Sequence, residues 1–228
     1  PQEPRLDASK TVLGNVEAEF DSESDDAGCG CAYPDYVDHG TVERSNQIHA
    51  ALKRAAARHP DLRAGLAVLP MVARYRVGNA RVGVVHGDAE SLAGWRFDVA
   101  ALDDPAQHAW RADAFAKAGV DVFASTHTCL PATRCFDYEG TKIVANNGAA
   151  GMPNASGTHF GVLTRIATTT SPHPRLYGQV SQGVRIDALA VNYNDAAWRE
   201  RFLANWPEGS PAWRSYFNRI ANGPDYRF

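Results

Sequence analysis

Apolar positions along this chain fall into short runs separated by glycine and polar turns. Thr11-Val12-Leu13, Arg81-Val82-Gly83-Val84-Val85 and Val120-Asp121-Val122-Phe123-Ala124 are short apolar stretches, each ending in a polar turn or glycine, as buried strands do. Residues 71–77 and 80–85 flank Gly78-Asn79, which predicts a β-hairpin. Residues 133–138 and 142–145 flank Glu139-Gly140 and predict a second. Residues 159–167 and 184–191 continue the β pattern. Between these runs the period lengthens. Residues 42–58 place Ile48, Leu52 and Ala55 or Ala56 on one helical face, with Thr41 as the expected cap. Pro60 and Pro70 bracket a short helical turn, and Asp104-Pro105 opens a helix to about Lys117 that Gly119 should stop. Two amphipathic helices close the chain, over residues 195–204 and from Ser210-Pro211 to about Ile220. Their aromatics (Trp198, Phe202, Trp206, Trp213, Tyr216 and Phe217) predict an apolar face packed on a sheet. The class is α/β.

Composition narrows the field. The 228 residues, 44% apolar and 21% charged, are ordinary for one globular core. A net charge of −3, with no basic cluster interleaved with aromatics, argues against nucleic acid or an anionic membrane as partner. No apolar run approaches the ~20 residues of a membrane span. Four cysteines, Cys29, Cys31, Cys129 and Cys135, are too few and too unevenly spaced for a disulfide scaffold. A reduced, cytoplasmic protein is the expectation. Cys29-Gly30-Cys31 lies in a polar loop over residues 21–38, and reads as a small-residue turn with buried thiols or as a metal or redox site.

Three of the strand runs end on good ligand side chains: Leu13-Gly14-Asn15, Val84-Val85-His86-Gly87, and Thr126-His127-Thr128-Cys129-Leu130-Pro131. Loops at the carboxyl ends of strands are where open α/β sheets carry their sites. A fourth segment, Asn146-Asn147-Gly148-Ala149, follows with Gly151-Met152-Pro153. The order resembles the calcineurin-like metallophosphoesterases, above all their small bacterial branch. That branch reads Gly-Asn-x-(Asp/Glu), His-Gly, Gly-His-Thr-His-x-Pro and Asn-Pro-Gly-Ser. The resemblance runs from about Val12 to about Thr164.

The resemblance implies an α-β-β-α sandwich, here with its first strands missing, and a phosphomonoester or phosphodiester of small-molecule type as substrate. It implies divalent metal ions, Mn, Fe or Zn, with Asn15, His86 and His127 as ligands of one. Cys129 stands where the family has a second histidine and is a further ligand candidate, one that favours Zn. Val16 stands where the family often has its catalytic histidine, which leaves Glu17 as the candidate general acid. Asp88 could orient His86, Asn147 and Gly148 could shape the neighbouring loop, and His159 could reach the site. His39, His49, His59, His108 and His173 read as surface residues.

The family's opening Asp-x-His and Gly-Asp motifs do not precede Gly14. With no initiator Met before Pro1-Gln2-Glu3-Pro4, the expectation is a domain over residues 1–228 that is incomplete at its amino terminus, with 193–228 as a helical extension. The full dinuclear site would then draw on residues upstream. The alternatives are a degenerate member that binds a ligand or partner without hydrolysis, and a single-zinc structural or redox-linked site using Cys129 and the Cys29/Cys31 loop.

Overall fold

The computed structural model describes residues 11–21 and 28–228. At the centre of a five-stranded sheet, β2 (Ala80–Val85), β3 (Val122–Ser125) and β5 (Thr141–Asn147) run parallel. β1 (Val72–Val77) and β4 (Pro131–Asp137) close its edges antiparallel, in the order β1-β2-β3-β5-β4. A second, antiparallel sheet has the order β6-β8-β7, with β6 (Phe160–Ala167), β7 (Arg175–Ser181) and β8 (Val184–Asn192). Both predicted hairpins form. Val77 pairs with Ala80 across Gly78 at φ +56°, a left-handed backbone that glycine adopts without cost.

The parallel strands are buried on both faces, as their near-continuous apolar runs require. Val82, Val122, Ile143 and Ala145 point one way and meet Val184 and Ile186 of the second sheet. Val85, Phe123 and Val144 point the other way, onto Phe97, Leu102 and Phe115. The last two lie on α4 (Val99–Asp103) and α5 (His108–Ala118). The α/β sandwich of two sheets is thus present, with helices on the outer face of the larger sheet.

Several local expectations change. α2 (His39–Ala56) is capped by Asp38, whose side chain accepts from Thr41 N; Thr41 is already inside the helix. The turn between Pro60 and Pro70 is α3 (Pro60–Ala67), with its proline at the first turn. Pro105–Gln107 is a separate 3-10 turn ahead of α5, and Gly119 ends that helix at φ +63°. β7 was hidden because most of its side chains are exposed and its apolar alternation is weak.

The closing helices, α6 (Asp195–Asn205) and α7 (Pro211–Asn222), do not pack on a sheet face as expected. Phe202, Ala212 and Ile220 bury against Ile48 of α2, with Met152, Trp198, Trp206, Tyr216 and Phe217 around them. The apolar stripe found a helix, because α2 offers Ile48 where both faces of the larger sheet are already covered. Among the described residues, no helix is long and apolar enough to cross a membrane.

Asp121, 4% exposed, anchors the start of the parallel strands. It accepts from Arg81 N at 2.9 Å, Arg81 Nη2 at 3.0 Å and Lys142 Nζ at 2.8 Å, so it ties β2 and β5 to β3. The Arg81 guanidinium, then Lys142, holds its carboxyl far below the usual carboxylate range. A depressed folded-state pKa gives stability that is present above about pH 4 and lost as pH falls below it. Asp121→Asn should cost about 2–3 kcal/mol at pH 7 and flatten the acid limb of the stability curve. Denaturant melts of both proteins from pH 7 to pH 2 measure it, and parallel curves would remove Asp121 from this role.

Candidate metal centre

Strand register decides which side chains meet. Val84 of β2 lies opposite Ala124 of β3, so the residues just past each strand end are neighbours. Thr126 N and His127 N both donate to the His86 carbonyl, at 3.2 and 2.9 Å. Ser125 Oγ donates to the carbonyls of His86 and Gly87, at 3.0 and 2.6 Å. Gly87 is fixed by close approach. A Cβ there would sit 2.5 Å from the carbonyl oxygens of Ser91 and Leu92.

Asn15 arrives by another route. The strand expected over residues 11–13 does not form, and residues 11–14 carry no regular structure. Leu13 N donates to the Pro70 carbonyl at 2.9 Å, and Asn15 opens the single-turn helix α1 (Asn15–Ala18). His49 of α2 holds that turn. It is buried rather than on the surface, its Nε2 lies 3.2 Å from the Val16 carbonyl, and its ring stacks on Phe20.

The three expected ligands converge. His86 Nε2 lies 2.8 Å from Asn15 Oδ1 and 3.1 Å from His127 Nδ1. Partners fix the protons. Asn15 Nδ2 points at the Cys29 carbonyl, 3.0 Å away, so Oδ1 faces His86. His127 Nε2 lies 3.2 Å from the Cys31 carbonyl, which can only accept. Its proton therefore sits on Nε2, and the Nδ1 lone pair faces inward. One proton on His86 Nε2 is shared between an amide oxygen and an imidazole nitrogen.

A cation can replace that proton. Two ligand atoms at ~2.1 Å from one ion lie ~3.0 Å apart at octahedral right angles and ~3.4 Å apart at the tetrahedral angle, so the observed 2.8 and 3.1 Å separations lie nearer the octahedral spacing. Burial, then the neighbouring His127, pushes the His86 imidazole down to about 4. Burial also lowers His127, against the opposing pull of the Cys31 carbonyl and Asp88. Both rings are neutral at pH 7, the state that ligates. Among the described residues, no three side chains drawn from His, Cys, Asp and Glu gather at metal-holding distance. The third donor is the Asn15 amide, so the set is neutral and suits one ion rather than two.

The other candidates are placed differently. Cys129 does not join the two histidines. Its Sγ lies 3.3 Å from the His127 carbonyl, with its backbone at φ +63°, and burial pushes its thiol up. Asp88 does not orient His86. Its carboxylate accepts from the backbone N–H groups of Glu90, Ser91 and Arg96, which folds the loop after Gly87. Glu17 does stand near the site. A Cβ on Gly14 would be 2.5 Å from Glu17 Oε2 and 3.3 Å from His86 Nδ1, so both groups flank one backbone point. His159 lies away, against Asp195 and Arg199 of α6. Cys29 and Cys31 are joined as a disulfide rather than held as thiols. Asn147 borders a cavity of about 440 Å³ beside the strand ends, shared with Ser125, Thr126 and Leu163.

Three residues at this centre, Trp95, Asn154 and Arg219, carried no signal in the sequence, and Asn146 was marked there only as part of its loop segment. Trp95 donates from Nε1 to the Cys31 carbonyl at 2.9 Å and stands edge-on to His127. Asn146, buried, donates to Thr128 Oγ1 and accepts from Gly148 N, both at 2.8 Å, locking the two loops together. Asn154 accepts from Ala149 N at 2.8 Å. Arg219 of α7 reaches the Cys129 carbonyl at 2.7 Å and Asn154 Oδ1 at 3.1 Å. Buried Asn and Arg within long-range networks leave no periodic trace.

Two outcomes follow from this geometry. Between about pH 6.5 and 4 the unfolded chain protonates His86 and the native chain does not, so stability falls as pH drops through that window. In chelator, His86→Gln should flatten this slope in urea titrations at successive pH values; an unchanged slope would contradict a neutral His86. Gly87→Ala should destabilise by about 1–3 kcal/mol through its backbone clash, read as a lower melting temperature, and a wild-type value would refute the tight loop.

No protein-family model matches the chain, and no curated protein matches its sequence. Solved structures do. A hypothetical protein, PH1004 from Pyrococcus horikoshii OT3, superposes at a TM-score of 0.54 with 13% identity, over 94% of this chain and 73% of its own. A metallophosphoesterase from Sphaerobacter thermophilus gives 0.47 with 18% identity, over 93% and 76%. Vps29 from Chaetomium thermophilum gives 0.28 with 15% identity, over 58% and 65%. The first establishes a shared fold; the other two superpose too loosely to carry an argument.

Proposed function

We propose that this chain holds a divalent cation, Mn, Fe or Zn, at Asn15, His86 and His127, and hydrolyses a small-molecule phosphomonoester or phosphodiester. The observation that carries the reading is the meeting of three motif residues, far apart in sequence, within 2.8 and 3.1 Å of one imidazole nitrogen. A cation there supplies positive charge against phosphoryl oxygens and an acidified water. The chain's own groups supply the rest. Asn15 and the two imidazoles would hold the ion in place. Glu17, on the Gly14 turn, is the candidate proton donor to the leaving oxygen. The cavity beside Thr126 and Asn147 has room for the ester's organic part. A second cation of the phosphoesterase type needs a bridging carboxylate. Asp88 is committed to its own loop, and no other carboxylate among the described residues joins the two imidazoles.

The neutral ligand set favours a second reading, a non-catalytic member that binds a cation and a phosphate-bearing ligand. An aryl phosphodiester assay with added Mn, run beside metal analysis, separates the two. Catalysis predicts Mn-dependent turnover that falls at least 100-fold, roughly, in His86→Ala, together with metal loss. Metal bound at the site, without turnover on mono- or diesters, selects the binder. An unmetallated chain whose activity survives His86→Ala overturns both.

A further inference from the structure

A cavity of about 530 Å³ lies between α6 and the loop that follows β5. It shares Asn147 with the cavity beside the strand ends, so the two adjoin. Much of its lining carries little side-chain bulk: Ala149, Ala150, Gly151, Gly161 and Ala197. Gly151 takes φ +75°, and a Cβ there would stand 3.4 Å from Trp198 Cζ2, so the loop runs past the edge of the indole. Trp198 and Tyr193 supply aromatic surface. Each also carries a buried polar atom without a hydrogen-bond partner, Trp198 Nε1 and Tyr193 Oη. Burial, then the Asp195 carboxylate, raises the Tyr193 phenol, so it is a neutral donor at pH 7. A ligand acceptor beside either ring offers it a partner after a small turn, a gain that a plain hydrocarbon cannot give. Arg201, exposed and one helical turn beyond Ala197, adds a positive charge with no carboxylate paired to it among the described residues. An apolar lining with a few polar groups is the make-up of a small-molecule site. A planar ring with acceptor atoms and an anion attached matches the aromatic surface, the unpaired donors and the cation together.

We propose that this cavity binds the heterocyclic base of a nucleoside phosphate ester, with the base against Trp198 and Tyr193 and Arg201 drawing its negative charge. This deepens the phosphoesterase reading by naming the organic part of the ester; hydrolysis rests on that reading, and binding of the base does not. Because Asn147 borders both cavities, one ester can reach from the strand ends to α6.

Adenosine monophosphate and adenosine, titrated calorimetrically into the full chain in chelator, are the probes, because no metal-dependent turnover competes there. Wild type should bind both, the nucleotide more tightly. Ala197→Phe, which fills the cavity from an exposed helix position, should weaken both by at least about tenfold. Trp198→Ala should do the same. Trp198 also packs around Phe202, so Ala197→Phe carries the test if that variant misfolds. Arg201→Ala should lower the nucleotide to the affinity of adenosine and leave adenosine unchanged. No binding of either probe, or binding indifferent to Ala197→Phe, overturns the base subsite. Mn-dependent turnover of an aryl phosphodiester without nucleotide binding leaves the phosphoesterase reading standing and removes the subsite. Nucleotide binding that needs the cavity, without turnover, does the reverse.

Discussion

The parallel pairing of β2 with β3 is the constraint on which the rest depends. With Val84 opposite Ala124, His86 and His127 must emerge side by side, and Ser125 then clamps the two strand ends through the carbonyls of His86 and Gly87. A slip of one residue would turn Val122 and Phe123 to opposite faces and empty both cores. The same hydrophobic alternation that stabilises the sheet therefore sets the spacing of the imidazoles. Asp121, at the other end of β3, adds a polar lock on that register through Arg81 and Lys142.

Around this fixed pair the centre is assembled from elements that are remote in sequence. α1 brings Asn15, held from behind by His49 of α2. The Cys29–Cys31 loop covers the imidazoles, with Trp95 over it. On the far side, Arg219 of α7 holds the Cys129 turn and Asn154. The carboxyl-terminal helices are therefore joined to the site as well as to α2. Their apolar cluster with Ile48 stabilises both ends of the chain against each other.

Burial gives the centre its chemical character. Desolvation keeps His86 and His127 neutral, and the carbonyls of Cys29 and Cys31 orient Asn15 and His127 so that oxygen and nitrogen lone pairs face inward. This is an arrangement for ligation, since a protonated pair 3.1 Å apart would repel. No carboxylate among the described residues enters the cluster, and Glu17 stands beside it on the Gly14 turn.

The sequence by itself determined the α/β class, both hairpins, the helix stop at Gly119 and the strand-end positions of His86 and His127. These depend on local rules: period-two and helical patterning, glycine at left-handed turns, and polar residues at strand ends. It misjudged whatever depended on a partner. Residues 11–13 look like a strand but have only the Pro70 carbonyl beside them. The aromatic helices look made for a sheet, yet both faces of the larger sheet were taken and α2 was free. Cys129 matches a ligand position in its motif, but its sulfur sits against the His127 carbonyl. Trp95, Asn146 and Arg219 act across 18 to 90 residues of chain. Hydrogen bonds of that reach leave no periodic signature, because only folding brings their two ends together.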